Sequence, residues 1–469
     1  MRKKFYTVKI RDLTTDGAGI GKIVDSDADN DIAMFVDGAL PGDLCEVKMI
    51  KMAQSKNYAY GELIKIIEPS PDRVKPMCQA FEKCGGCALQ SLSYEAQLRL
   101  KHKIVADCIE RIGGVKDAQI HDTVGMDIPY NYRNKAQFPV KRNRRNPNKI
   151  DIGFYSRRTH EVINVTSCVI SHESTAQIIK IFKDWLAQNN VNDIIYDEVS
   201  HSGLIRHIFV RNGFKTGEIM VCIVVNSHES EINKQLEVLF EPLVRELRKI
   251  ESLTGVILNI NSKQTNVILG KTNKVLYGRD YIYDYLGDKK FKISLASFYQ
   301  INPTQTEKLY AKALEFAEVS QNDVCIDAYC GIGTIALTVA PFVKKVYGIE
   351  SVGQAVLDAQ ENAKINNITN AEFIKGKSEH IIPELIEREA IDLIIVDPPR
   401  KGCDIKLIEA IIAAKIRKVV YISCNPATLA RDIKILVSGG YKLREVQPID
   451  CFPHTMHVES VAVLELAEL

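Results

Sequence analysis

The sequence predicts a multidomain chain: a small N-terminal OB-like β-barrel, a central α+β region, and a C-terminal α/β domain built on a doubly wound, Rossmann-like parallel sheet. Three observations carry this. Short alternating runs separated by Gly-rich turns fill residues 5–67, the pattern of a compact barrel. Residues 126–285 mix strand and helix periods. From about residue 290, apolar strands alternate regularly with helices, as in a parallel sheet covered on both faces. At 469 residues the chain also exceeds one ordinary core.

Composition narrows the class. Charged residues make up 26% and hydrophobic residues 46%, the proportions of an ordinary globular protein. No apolar run approaches the ~18 residues of a membrane span. The start, Met1-Arg2-Lys3-Lys4-Phe5, has charge but no apolar stretch behind it, so no secretory signal is expected and the cytoplasm is the default compartment. With a net charge of +2, any nucleic-acid surface must be a local patch. Lys141-Arg142-Asn143-Arg144-Arg145-Asn146-Pro147-Asn148-Lys149 is one candidate, equally readable as a solvated hairpin tip.

Within the barrel region, strands are expected at Tyr6 to Ile10, Ile32 to Val36, Leu44 to Met49 and Tyr60 to Ile66. Asp16-Gly17-Ala18-Gly19-Ile20-Gly21 and the 37–43 segment read as turns, and Glu68-Pro69-Ser70-Pro71 as a stiff linker. No helix pattern follows the glycine run, so it is not a dinucleotide loop. Residues 93–112 read as a helix that Ser93 caps and Gly113-Gly114 ends. Val105, Cys108, Ile109 and Ile112 share its apolar face. In the central region, strands are expected at Phe138 to Val140, Ile152 to Tyr155, Ile208 to Arg211 and Ile219 to Val225. Helices are expected at Ser174 to Asn189 and Glu229 to Lys249. The parallel sheet should use 324–328, 345–349, 371–375, 392–396 and 418–423, with 441–449 and 458–466 closing it as an antiparallel hairpin.

Three constellations carry chemistry. The first is Val324-Cys325-Ile326-Asp327-Ala328-Tyr329-Cys330-Gly331-Ile332-Gly333, a strand entering a glycine turn and then a helix. Glu350 ends the next strand, where an acid accepts ribose hydroxyls. The turn lacks the Gly-x-Gly-x-x-Gly of a pyrophosphate dinucleotide site, and S-adenosylmethionine fits it better. Asp397, opening Asp397-Pro398-Pro399-Arg400-Lys401-Gly402, falls on the same ligand-binding edge. The second is Cys424 in Val420-Tyr421-Ile422-Ser423-Cys424-Asn425-Pro426, a thiol at a strand end where the following helix can favour its thiolate. Glu459, in His457-Val458-Glu459, is the carboxylate that can serve as its base partner. The third is Cys78, Cys84 and Cys87, with Cys168 much later. These four thiols suit either tetrahedral zinc or an iron–sulfur cluster. The 12 cysteines are no disulfide framework, and Cys45, Cys108, Cys222 and Cys325 read as packing residues.

Together these motifs resemble the RNA (uracil-5-)-methyltransferases over essentially the full length, most closely the 23S rRNA branch with a TRAM domain and a [4Fe–4S] cluster. The resemblance rests on 16–21 and 68–71 for TRAM, on the four cysteines, on Ser297-Phe298-Tyr299-Gln300-Ile301-Asn302, and on the Asp397, Cys424 and Glu459 motifs. It implies a barrel at 1–68, an iron–sulfur and RNA-binding domain at 69–92 with 125–290, and a class I methyltransferase domain at 93–124 with 291–469. By the same resemblance Gln300, Tyr329, Glu350 and Asp397 bind S-adenosylmethionine. Cys78, Cys84, Cys87 and Cys168 hold [4Fe–4S], Cys424 attacks uracil C6, and Glu459 removes the C5 proton. Thr334 stands where the family often has Asn. The expected partner is RNA, with a flipped loop uridine. The 132–135 run offers it a stacking ring and cations. No membrane or DNA partner is expected, and the chain is expected to be a monomer. Two alternatives remain: a tRNA uracil-5-methyltransferase, whose branch the resemblance depicts without barrel and cluster, or a non-catalytic RNA-binding or iron–sulfur sensor protein.

Overall fold

The computed structural model describes residues 5–25, 32–53, 57–189, 194–228 and 234–467. The charged start at 1–4 and the first residues of the expected 229–249 helix lie outside the described residues. The chain divides into two compact units, Met1–Lys101 with Phe452–Met456, and His102–Cys451 with His457–Leu469.

In the first unit, β1 (Phe5–Leu13), β2 (Gly19–Ile23), β3 (Ala33–Val36), β4 (Leu44–Met52) and β5 (Tyr58–Glu68) close into a barrel ordered β1-β2-β3-β5-β4. Alternation along the strands turns Tyr6, Val8, Ile10, Met34, Val36, Cys45 and Val47 inward. The glycine run is not only a turn, because its second half forms β2. A Cβ at Gly21 would stand 2.6 Å from the Lys9 carbonyl and from Val8 Cγ1, so glycine lets β1 and β2 pack this closely. Buried Asp43 fastens the linker by accepting the Ser70 N–H at 2.7 Å. The cysteine-bearing loop follows, and then α1 (Tyr94–Arg111), capped by Ser93 Oγ, which accepts the Ala96 N–H at 3.4 Å.

In the second unit, the remainder of α1 sends Val105 and Ile109 into the core of the parallel sheet. Cys108 is only half-buried and Ile112, beyond the helix end, is 42% exposed, so the expected apolar face stops one turn early. After β6 (Gln119–Ile120) comes a seven-stranded sheet. It comprises β7 (Lys135–Arg142), β8 (Ile150–Tyr155), β9 (Val162–Asn164), β10 (Ile205–Asn212), β11 (Ile219–Val225), β12 (Leu253–Ile260) and β13 (Thr272–Gly278), ordered β13-β12-β11-β10-β7-β8-β9. Helices α2 (Ser174–Gln188) and α3 (Lys234–Leu247) meet through Trp185 and Phe240, with ring centroids 5.7 Å apart. A hairpin, β14 (Tyr281–Leu286) with β15 (Lys289–Ser294), leads to α4 (Pro303–Ala317).

The doubly wound part alternates β16 (Val324–Ala328), α5 (Thr334–Val339), β17 (Lys345–Glu350), α6 (Gly353–Ile365), β18 (Ala371–Lys375), α7 (Ser378–Arg388), β19 (Leu393–Val396), α8 (Ile405–Ala414), β20 (Lys418–Ser423) and α9 (Pro426–Ser438). β21 (Tyr441–Ile449) and β22 (Glu459–Leu466) complete an eight-stranded sheet ordered β18-β17-β16-β19-β20-β22-β21-β6. β22 runs antiparallel between β20 and β21, as the expected hairpin requires. No described helix is long and apolar enough to cross a membrane.

Candidate active site

The candidate residues gather because β16, β17, β19 and β20 are parallel and release their loops at one edge. After β16 the chain turns through Tyr329 (φ 73°), Gly331 (φ 55°) and Gly333 (φ 85°). Tyr329 and Cys330 N–H both donate to the Ile349 carbonyl at 3.0 Å. Glu350 clasps the turn from β17: Oε2 accepts the Gly331 N–H at 3.2 Å, and Oε1 accepts the Val352 N–H at 2.7 Å. A Cβ at Gly331 would meet nothing within 4 Å, so the turn leaves open space above its backbone. Tyr329 is half-buried against the sheet core and bonded to the Asp404 backbone.

Asp327, the last acid of β16, is fully buried. Its Oδ2 accepts the Ala336 N–H of α5 at 2.8 Å, and its Oδ1 has no partner. Burial pushes its carboxyl up to about 8, with Asp397 and Glu350 adding to the shift. Its place in the sequence does not by itself mark it as a site residue. Its signal was a lone charge in an otherwise apolar strand, directly before the glycine turn.

Gln300 is held from the seven-stranded sheet. Asn134 Nδ2 donates to the Gln300 carbonyl at 2.8 Å, and the Asn134 N–H to the Ile301 carbonyl at 2.9 Å. Gln300 Nε2 then reaches Asp397 Oδ2 at 3.4 Å. Burial raises Asp397 to about 7. Tyr132, expected as a stacking ring, is 1% exposed and offers no face to a base. The basic run forms the tip between β7 and β8, with Arg142, Arg144 and Arg145 exposed.

The sheet register brings thiol and carboxylate together. Ser423 pairs with Ser460 as the last rung of β20 and β22, and one step further along the same register sets Cys424 against Glu459. Asn425 secures the turn by accepting the Ala427 N–H on its side chain at 3.2 Å and donating to the Arg400 carbonyl at 3.1 Å. Glu459 is 3% exposed and its Oε2 has no partner. Burial, then the charge of Asp397, hold Glu459 well above the carboxylate range, and Arg400 opposes them. Burial and the charges of Glu459 and Asp397 push Cys424 up to about 11, again against Arg400. Arg400, which lies 3.4 Å from His457 Nε2, is thus the cation shared by the thiol and the carboxylate. In the sequence it is simply a member of the Asp397 loop.

The remaining cysteines form no disulfide. Cys78, Cys84 and Cys87 lie half-buried in the first unit, and Cys168 lies half-buried between β9 and α2 of the second. Among the described residues, no three His, Cys, Asp or Glu side chains converge on a single metal position. Beside Cys78, Gln90 accepts its N–H at 3.1 Å and keeps Nε2 buried without a partner.

Known proteins share this arrangement. Residues 234–467 match the family described as tRNA (Uracil-5-)-methyltransferase, and residues 1–64 match the TRAM domain. An RNA methyltransferase of Clostridium tetani is 46% identical over 98% of this chain and 96% of its own length. One of Halalkalibacterium halodurans is 45% identical, with the same coverage. The crystal structure of the Pyrococcus abyssi tRNA (uracil-54, C5)-methyltransferase in complex with S-adenosyl-L-homocysteine is 27% identical with a TM-score of 0.76, covering 98% of this chain and 99% of that one. These likenesses define an RNA methyltransferase. The chain belongs to the tRNA (uracil-5-)-methyltransferase family and carries a TRAM domain at its N-terminal end. The archaeal match spans the barrel, which corrects the expectation that tRNA-acting relatives lack it.

Proposed function

We propose that this enzyme methylates uracil C5 in RNA, with 23S rRNA as substrate. The observation that carries the reaction is the strand register that sets Cys424 against Glu459 beside Asp397 and Arg400. Gln300, Tyr329, Glu350 and Asp397 hold S-adenosylmethionine, which supplies the methyl group. The open space over Gly331, the carboxylates of Glu350 and Asp397, and the bound product-like ligand of the archaeal relative support this. The Cys424 thiolate bonds to C6 of the uracil, and the displaced electron pair makes C5 the nucleophile. Once C5 is methylated, Glu459 takes the C5 proton, the C5–C6 double bond reforms and the thiolate leaves. A carboxylate with a raised pKa is the stronger base for that last step.

Cys78, Cys84, Cys87 and Cys168 are proposed to hold a [4Fe–4S] cluster. These four thiolates would hold the cluster, and the unsatisfied Gln90 Nε2 is a donor of the kind that would serve cluster sulfur. The three-part division 1–68, 69–92 with 125–290, and 93–124 with 291–469, a cytoplasmic location and a monomeric state are proposed as well, from the family resemblance. A second reading, tRNA as substrate, is favoured by the full-length archaeal likeness.

The experiment is methyl transfer from labelled S-adenosylmethionine to unmodified 23S rRNA and, separately, to unmodified tRNA, with the nucleosides identified by mass. 5-Methyluridine in rRNA alone supports the first reading, and in tRNA alone the second. Cys424→Ala should abolish both while retaining cofactor binding, and residual methylation by that variant would refute the covalent mechanism.

A further inference from the structure

Four successive residues of the loop between β19 and α8 are held by β20, α9 and the turn between them, all within the second unit. Asn425 Nδ2 and Thr428 Oγ1 donate to the Arg400 carbonyl at 3.1 and 3.3 Å. Arg431 Nη2 donates to the Lys401 carbonyl at 3.0 Å. Gly402, at φ 82°, comes so close that a Cβ there would stand 2.6 Å from Asp432 Oδ2. The Cys403 N–H donates to the same Oδ2 at 2.9 Å. Asp432 has 0% exposure, and a carboxylate is costly to bury unless its bonds are made. Here the Tyr421 hydroxyl donates to Oδ2 at 2.6 Å and Arg431 Nε to Oδ1 at 2.8 Å. An apolar side chain at 432 would fill the core without burying a charge, but it would leave the Cys403 N–H without this acceptor. Tyr421 is itself 1% exposed and stands three residues before Cys424. The buried carboxylate thus ties the strand end that delivers the thiol to the loop that delivers a cation. The charged groups acting on that thiol are Glu459 of β22 and, from the loop, Asp397 and Arg400, of which Arg400 is the positive one.

We propose that Asp432 and Tyr421 are positioning residues for Arg400: they fix the backbone of residues 400–403 and thereby keep the guanidinium where it favours the Cys424 thiolate. The bearing of this on turnover rests on the assignment of Cys424 as nucleophile. Loss of the Asp432 carboxylate would, as a lost negative charge, favour the thiolate. Displacement of Arg400 would disfavour it. The sign of the change therefore separates the two effects.

The test uses the full-length protein and iodoacetamide, with Cys424 labelling followed by peptide mass spectrometry as a function of pH. Asp432→Asn, Tyr421→Phe, Arg400→Ala and the double variants of each of the first two with Arg400→Ala are compared with the parent. Asp432→Asn should slow labelling at pH 8 about threefold, and Tyr421→Phe should slow it less. In the Arg400→Ala background neither substitution should slow it further, because the cation they position is gone. Labelling that is unchanged or faster in Asp432→Asn overturns the proposal, and so does slowing of equal size with and without Arg400. If Asp432→Asn does not fold, Tyr421→Phe decides by the same cycle. Methyl transfer to RNA should fall in step with the labelling rate. If the labelling cycle comes out as expected while Cys424→Ala still methylates RNA, the covalent reading fails and the positioning of Arg400 stands.

Discussion

Replacing Asp327 with asparagine isolates one buried charge. In the unfolded chain this carboxyl ionises near 3.8, whereas in the fold it keeps its proton up to about pH 8. Its contribution to stability is therefore complete below pH 4 and is lost progressively as pH rises to about 8. By pH 7 the loss amounts to about 4 kcal/mol. Asparagine is neutral throughout and escapes it. The amide keeps an oxygen for the Ala336 N–H but carries two N–H donors where the protonated parent carries a single O–H, at a cost of about 1–3 kcal/mol. Asp327→Asn should thus be less stable than the parent at pH 4 and more stable at pH 7, the two curves crossing between about pH 4.5 and 6. Thermal unfolding of both proteins across pH 4–8 measures this. A Tm difference that stays constant with pH would refute the reasoning, because it would show that Asp327 is not held neutral by burial.

Further outcomes are expected for the thiol, the glycine turn and the cysteine cluster. Iodoacetamide should label Cys424 of the free protein about 100-fold more slowly at pH 8 than it labels an ordinary thiol, accelerating about tenfold per pH unit. Arg400→Ala should slow it further, as peptide mass spectrometry would record. Gly333→Ala should destabilise by about 2–4 kcal/mol, since its Cβ would stand 3.0 Å from Phe373 at a left-handed backbone. Gly331→Ala, with open space around it, should instead weaken S-adenosylmethionine binding in a titration while sparing more of the fold. Protein purified without oxygen should be brown with about four iron atoms, and Cys84→Ser should lose them. Stoichiometric zinc in place of iron would overturn the cluster.

The parallel sheet was legible because short, mostly apolar runs alternate with regular helices, and the expected strands from 324 to 423 match the observed ones within a residue. The pairing of Cys424 with Glu459 was only half legible. Motifs named both residues, but their adjacency depends on β22 running antiparallel beside β20, a register no local pattern states. Arg400 acts through charge on groups 24 and 59 positions away, which sequence distance hides. β2 was missed because glycines that permit close strand packing look like glycines that permit turns. Tyr132 was misjudged because an aromatic ring beside cations gives no sign of which way it faces.

The five residues Phe452–Met456 fold with the first unit, while their neighbours Cys451 and His457 fold with the second. The barrel-bearing unit is therefore not a cassette. Truncation after Lys101 would leave it without a piece encoded more than 350 codons downstream. Exchange of N-terminal units between relatives should succeed only when this loop travels with them.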